Sequence, residues 1–110
     1  MTTKSKIAGG LTPTREWAIG ELRRMVLAAL GERDAEVWLF GSCARGEVLQ
    51  HSDIDIAILP RDDLPGSVFP ELSERIEESS IPYDVDVVDL RQAVPELVAV
   101  VRREGVPWKR

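Results

Sequence analysis

Residues 53–59 read Asp-Ile-Asp-Ile-Ala-Ile-Leu, an alternation regular enough to restrict the chain to folds that contain a half-buried β-strand. Successive side chains of a strand point to opposite faces, so the three isoleucines share one face while Asp53 and Asp55 share the other. Pro60 follows the alternation and is expected to end it, because proline cannot donate a ladder hydrogen bond. The pattern therefore predicts a strand with an apolar core face and two neighbouring carboxylates on its other face.

The rest of the chain predicts helices and strands that follow one another closely. Helical periodicity and end signals place helices near residues 12–30, 71–79 and 95–104, and short apolar runs place strands near residues 37–40, 82–88 and 106–108. Thr12 is expected to cap the first helix and Gly31 to end it. We expect Trp17, Trp38 and Trp108 to pack in the core or at its edge.

Length and composition limit the classes of protein that fit. The chain has 110 residues, which favours one domain; we expect a flexible leader over 1–11 and a single domain over 12–110. The net charge of −5 makes free nucleic acid a weaker expectation than a protein partner. Cys43 is the only cysteine, and no apolar run approaches the roughly 20 residues of a membrane helix, so we expect a cytoplasmic protein and no membrane.

The aspartates suggest a metal site. Asp53 and Asp55 would repel each other on one strand face, and a cation removes that penalty. Mg²⁺ prefers carboxylate oxygens together with substrate phosphate oxygens. Asp86 is the candidate for a third carboxylate: it lies mid-strand between apolar neighbours and is expected to be poorly solvated without a cation. Asp84 shares its strand face and remains the alternative.

A Gly-Ser turn directly after the strand at 37–40 adds a candidate phosphate site. Gly41 allows a sharp turn and a close backbone approach, while Ser42 and the amides that follow can donate to an anion. Ten residues separate Ser42 from Asp53, which suits a turn that brings the phosphate cradle beside the carboxylates. Triphosphate and Mg²⁺ would then meet in one place.

These motifs together resemble a known signature. The run Leu-Phe-Gly-Ser-Cys-Ala-Arg-Gly at 39–46, followed by Ser-Asp-Ile-Asp-Ile at 52–56, is similar to that of the DNA polymerase β-like nucleotidyltransferase superfamily. The short chain and the Gly-Ser-Xaa-Ala-Arg-Gly form resemble its minimal nucleotidyltransferase (MNT) branch. The resemblance implies an α/β (α+β) fold with a small mixed β-sheet and helices packed on it.

The resemblance also implies roles for individual residues. Gly41 and Ser42 would hold the β- and γ-phosphates of an NTP, and Arg45 would either contact phosphate or brace the turn. Asp53, Asp55 and Asp86 would be the catalytic, metal-binding carboxylates for two Mg²⁺ ions. The implied reaction is transfer of a nucleoside monophosphate, with ATP the expected donor.

Members of the MNT branch are often encoded beside HEPN-domain proteins as toxin–antitoxin pairs. The resemblance therefore implies an antitoxin that adenylylates a HEPN toxin, and the sequence leaves open whether the chain forms a homo- or hetero-oligomer. The main alternative is an antitoxin that neutralises its partner by contact alone. A glycosyltransferase that uses Asp-Xaa-Asp is a weaker alternative, because it needs a larger nucleotide domain and leaves the Gly-Ser turn unexplained.

Overall fold

The computed structural model describes residues 13–41 and 53–109. Within them lie three α-helices and four β-strands: α1 Pro13–Leu30, β1 Ala35–Phe40, β2 Ile54–Pro60, α2 Val68–Glu78, β3 Val85–Asp89, α3 Pro95–Glu104 and β4 Val106–Lys109. A 3₁₀ turn over Leu90–Gln92 connects β3 to α3. The predicted leader and the predicted cap Thr12 lie outside the described residues.

The described strands form one sheet in the order β3-β2-β1-β4. β1 runs antiparallel to both β2 and β4, whereas β2 and β3 are parallel and are connected through α2. The sheet is therefore mixed, as expected, and the α/β fold class is confirmed. β3 forms one edge of this sheet and β2 lies inside it.

The first face of the sheet carries the larger core. α1 and α2 cover it, and Ile54, Ile56 and Ile58 are fully buried against them. On α1 the buried apolar residues recur at the predicted spacing, with Leu22 and Val26 both completely buried. The predicted division of β2 into an apolar core face and a carboxylate-bearing face is confirmed.

The second face carries a smaller core under α3. Trp38, Ala57, Leu90 and Val101 are buried there. Gly105 ends α3 where the chain passes close to β1: a Cβ at this position would lie 3.1 Å from the Cβ of Trp38 and 3.2 Å from the carbonyl oxygen of Leu39. Phe40 packs against this smaller core, and its partner on β2, Asp55, is half-buried beside it.

Several predicted boundaries differ from the observed ones. α2 begins at Val68 instead of Glu71, because Pro70 falls in the first helical turn, where its missing N–H costs no helical hydrogen bond. β3 begins at Val85 instead of Pro82, next to a segment at 79–84 that crosses from α2. The limits of α3 are those predicted. No described helix is long and apolar enough to cross a bilayer.

The tryptophan prediction is confirmed at two positions and wrong at the third. Trp38 is buried in the smaller core, and Trp108 packs against the larger one from the edge strand β4. Trp17 is 46% exposed on the outer side of α1. Its neighbours in sequence, Ala18 and Arg15, face inwards instead.

Candidate active site

Three side chains form a row across the second face of the sheet, at the end of β1. Phe40 pairs with Asp55 across the antiparallel β1–β2 ladder, and Asp55 pairs with Asp86 across the parallel β2–β3 ladder. Residues paired across neighbouring strands project from the same face. The sheet therefore sets the carboxylates of Asp55 and Asp86 side by side, although 30 residues separate them in the sequence.

Gly41 brings the chain close to this row as it leaves β1. Its φ of +77° lies in the left-handed region that glycine adopts without strain. A Cβ at this position would overlap Oδ2 of Asp55 and would lie 3.3 Å from its Cγ. The backbone of Gly41 is thus packed against the Asp55 carboxylate, and any larger residue would displace that side chain.

The charges around Asp55 act together on its ionisation. Burial raises the pKa of Asp55 above its ordinary value, and the negative charges of Asp86 and then Asp53 raise that pKa further. A cation shared among neighbouring carboxylates offsets their mutual repulsion and favours their charged forms. The electrostatics of this half-buried side chain therefore suit a cation-binding position.

Asp53 and Asp86 flank Asp55 at different depths. Asp53 directly precedes β2, and both it and Asp86 are exposed, whereas Asp55 is half-buried. The expectation that Asp86 would be poorly solvated is wrong, because β3 is an edge strand and the second-face core does not extend over this position. The apolar neighbours Val85 and Val87 face the larger core on the opposite side of the sheet.

The two candidates for a third carboxylate occupy different positions relative to Asp55. Asp86 is opposite Asp55, whereas Asp84 precedes β3 and accepts a backbone hydrogen bond at its carbonyl oxygen from Ile54 N, at 3.0 Å. Asp89 instead caps the 3₁₀ turn, because its carboxylate accepts a hydrogen bond from Arg91 N. The ion pair with Arg91 lowers the pKa of Asp89.

The carboxylate oxygens of the three aspartates suit Mg²⁺ as ligands, but these side chains do not converge on one point in the structure. All three aspartates offer oxygen ligands, and two of them are adjacent in the sheet. Across residues 13–41 and 53–109, no three carboxylate, imidazole or thiol groups lie close enough to hold one metal ion together. A bound cation would have to draw the exposed carboxylates of Asp53 and Asp86 towards Asp55 by side-chain rotation.

Two of the predicted nucleotide-binding residues, Ser42 and Arg45, lie outside the described residues. Of the Gly-Ser turn, the structure describes Gly41, which lies beside Asp55. The residues that sequence reasoning missed are Glu77 and Tyr83, which line a cleft next to Asp53 and Asp86. Neither belongs to a motif, and only the packing of α2 beside β3 brings them there.

Comparison with known proteins identifies the family. Residues 33–107 match the family model described as polymerase beta, nucleotidyltransferase. The match includes β1, Gly41 and all three aspartates of the site. The chain therefore belongs to the polymerase β-type nucleotidyltransferase family.

Two curated relatives share the name MntA. The chain is 31% identical over 70 residues to the probable protein adenylyltransferase MntA of Haemophilus influenzae, and the aligned residues make up 64% of this chain and 61% of that protein. It is 41% identical over 69 residues to the protein adenylyltransferase MntA of Shewanella oneidensis, and the aligned residues make up 63% of this chain and 49% of that protein. The match thus spans about half to three fifths of the length of these relatives.

A solved structure has a similar fold. It contains a tri-AMPylated HEPN toxin of Shewanella oneidensis in complex with an MNT antitoxin, and the chain matches it with a TM-score of 0.61 and 27% identity. The match covers 84% of this chain and 70% of that chain. The resemblance to the MNT branch is therefore confirmed at the level of sequence and of fold.

Proposed function

We propose that this chain is a Mg²⁺-dependent protein adenylyltransferase that transfers AMP from ATP to a HEPN-domain toxin and thereby acts as its antitoxin. The observation that carries the proposal is the pairing of Asp55 with Asp86 beside the Gly41 turn. In this proposal the paired carboxylates would bind the cation, and the turn that begins at Gly41 would bind the phosphates beside them. Membership of the nucleotidyltransferase family and the relatives named protein adenylyltransferase support the same reaction.

The reaction is a displacement at the α-phosphorus of ATP. A hydroxyl oxygen of the acceptor forms a bond to phosphorus, the bond to the pyrophosphate oxygen breaks, and pyrophosphate leaves. The hydroxyl proton passes to a nearby carboxylate and from there to solvent. Asp86 is suited to this step because it is exposed to an incoming acceptor while it adjoins Asp55.

In this proposal, Asp53, Asp55 and Asp86 hold two Mg²⁺ ions. Bound Mg²⁺ would neutralise charge on the triphosphate and on the attacking and leaving oxygens. Gly41 would position Asp55 through direct packing and lead the chain into the phosphate turn with Ser42 and Arg45. The half-buried position of Asp55 would fix one metal ligand, while the exposed Asp53 and Asp86 would adjust around it.

The partner in this proposal is a HEPN toxin, since the matched solved complex pairs an MNT antitoxin with an AMPylated HEPN toxin. The acidic net charge of −5 is compatible with a protein acceptor. We also propose that the chain works in the cytoplasm, where its single cysteine would stay reduced.

Mass spectrometry tests the activity. The chain is incubated with Mg²⁺, ATP and a HEPN-domain protein from the same genome, and the acceptor is expected to gain one or more AMP units. Asp86→Asn should lower kcat by about 10²-fold or more, because it removes a ligand and a proton acceptor. Asp84→Asn is the matched control and should leave kcat, measured at saturating acceptor, nearly unchanged.

The same variants separate catalysis from neutralisation by contact. If Asp86→Asn still binds the HEPN protein but no longer adenylylates or neutralises it, the contact-only alternative is excluded. If the acceptor gains no mass from any NTP while a stable complex forms, adenylylation is the wrong proposal. Equal loss of activity in the two variants would contradict the choice of Asp86 as third carboxylate.

A further inference from the structure

A cleft of about 650 Å³ runs beside the candidate active site. α2 forms one wall through Ser73, Ile76 and Glu77, and residues 83–87 form the other. Asp53 lies at the end nearest β2. We call this feature the β3-edge cleft.

The lining residues show that the cleft follows the outer edge of the sheet. Val85 and Val87 point to the first face of the sheet and Asp84 and Asp86 to the second, yet all four line the same cleft. Only a cleft along the open edge of β3 can be lined from both faces. In the described sheet β2 is the only neighbour of β3, so the other side of β3 faces the cleft.

The backbone of β3 offers hydrogen-bonding groups to that cleft. Ile54 N donates to Asp84 O, which shows that the backbone of residue 84 is directed towards β2. In a parallel ladder the bonded residues alternate, so the backbone N–H and C=O groups of Val85 and Val87 are directed away from β2. An edge of this kind pairs with an added extended segment.

The side chains of the cleft define the charge of its occupant. Asp53, Glu77, Asp84 and Asp86 supply carboxylates around its rim, and Ile76 supplies apolar surface. No lysine, arginine or histidine is present among the described residues that line the cleft. The buried Arg15 contacts the ring of Tyr83, with its guanidinium carbon 4.1 Å from the ring centroid, but it is not among the residues that line the cleft. The rim therefore favours a positively charged segment.

The cleft is also continuous with the candidate active site. Asp53 and Asp86 are both predicted metal ligands and lining residues of the cleft. A segment bound along β3 would thus bring a side-chain hydroxyl to the carboxylates without any further movement of the sheet. The cleft and the site form one surface.

From these observations we propose that the β3-edge cleft binds an extended, basic segment of the acceptor protein, the segment that carries the hydroxyl to be modified. The inference rests on the proposed function for the identity of the occupant as an acceptor. The edge backbone would supply affinity, and the acidic rim would supply selectivity for basic side chains.

Peptide binding tests the cleft without ATP or metal. The probe is a fluorescein-labelled peptide with arginine and lysine around a central tyrosine, and its counterpart carries glutamate in place of the basic residues. Fluorescence anisotropy at low ionic strength should show binding of the basic peptide only. Glu77→Lys should weaken that binding by about fivefold, because it replaces an attraction at the rim with a repulsion.

Glu74→Lys is the matched control. It makes the same charge change on the exposed surface of α2 but lies outside the lining of the cleft. Its binding of the basic peptide should stay within twofold of the unmodified chain. Both variants should unfold at the same temperature as the unmodified chain, since both positions are exposed.

The outcomes distinguish the cleft from the enzymatic activity. Absence of peptide binding, equal binding of both peptides, or equal weakening by the two variants would overturn the cleft proposal, whatever the result with ATP. In the mass-spectrometric assay, Glu77→Lys should raise the KM for the HEPN protein and leave the KM for ATP unchanged. Absence of AMP transfer by the unmodified chain would overturn the proposed function even if the basic peptide binds.

Discussion

Replacement of Gly41 by alanine should separate the stability of this fold from the integrity of its site. Two effects act at this position. The φ of +77° is strained for any residue with a Cβ, and the added methyl group would occupy the space of the Asp55 carboxylate. The substitution removes no polar group, so any loss of activity must come from displacement.

The structure sets the size of each effect. A left-handed conformation costs a non-glycine residue about 1–2 kcal/mol, which is the expected loss in the free energy of unfolding. The overlap with Asp55 Oδ2 can be relieved only by rotation of that side chain, since the new Cβ would also lie 3.3 Å from its Cγ. A misplacement of about 1 Å at a reacting centre costs roughly 10²-fold, so we expect at least that loss in kcat.

Gly31→Ala is the matched control for the strain. Gly31 also has positive φ, +60°, but a Cβ there would meet no atom within 4 Å. Urea unfolding should show similar losses of stability for the two variants, while AMP transfer is lost only by Gly41→Ala. If both variants keep full activity, or both lose it equally, the packing of Gly41 against Asp55 does not position the site.

Three further substitutions test the electrostatics and the packing. Asp55→Asn should raise the free energy of unfolding at neutral pH by about 0.5 kcal/mol even though it abolishes AMP transfer. The substitution removes a half-buried negative charge, and solvent screens the repulsion between that charge and its acidic neighbours only in part. Because the pKa of Asp55 is higher in the folded state than in the unfolded state, its contribution to stability is most favourable below the unfolded pKa and is lost as pH rises through the folded pKa. The difference in the free energy of unfolding between the Asp55→Asn variant and the unmodified chain should therefore vanish at low pH. Gly105→Ala should cost about 1–3 kcal/mol in urea unfolding through overlap with the Val101 carbonyl oxygen of α3 and overpacking against β1, whereas Gly20→Ala, with open space around it inside α1, should stabilise by about 0.5–1 kcal/mol. A stabilising Gly105→Ala would contradict the close packing of Gly105 against α3 and β1.

The alternating pattern of β2 was sufficient to predict which of its side chains face the core. A period of two assigns Ile54 and Ile56 to one face and Asp55 to the other, and no tertiary contact is needed for that assignment. The limits of α3 followed from Pro95 and Gly105 in the same local way. Features set by neighbouring residues along the chain were therefore predictable.

Features that depend on the order of the strands in the sheet were not predictable from the sequence. The exposure of Asp86 depends on β3 being an edge strand of the described sheet, and the short sequence of β3, with three valines, is equally typical of a central strand. The position of Asp86 opposite Asp55 likewise depends on the β2–β3 register, which the sequence of either strand alone leaves open. The sequence favoured Asp86 over Asp84 only through the family resemblance. The cleft residues Glu77 and Tyr83 come from a helix and a connecting segment whose positions only the packing determines.

The mixed sheet gives the proposed site one fixed and two adjustable ligands. Asp55 sits on an interior strand, between Phe40 on one side and Asp86 on the other, and Gly41 restricts its side chain further. Asp53 and Asp86 lie at the start of β2 and on the edge strand, where their side chains stay exposed. The edge position of β3 opens this strand to the cleft. It leaves the Asp86 side chain free to rotate towards a cation and also accessible to an acceptor. On this argument the edge position of β3, which the sequence did not reveal, is what would allow one small sheet to hold both the nucleotide and the protein it modifies.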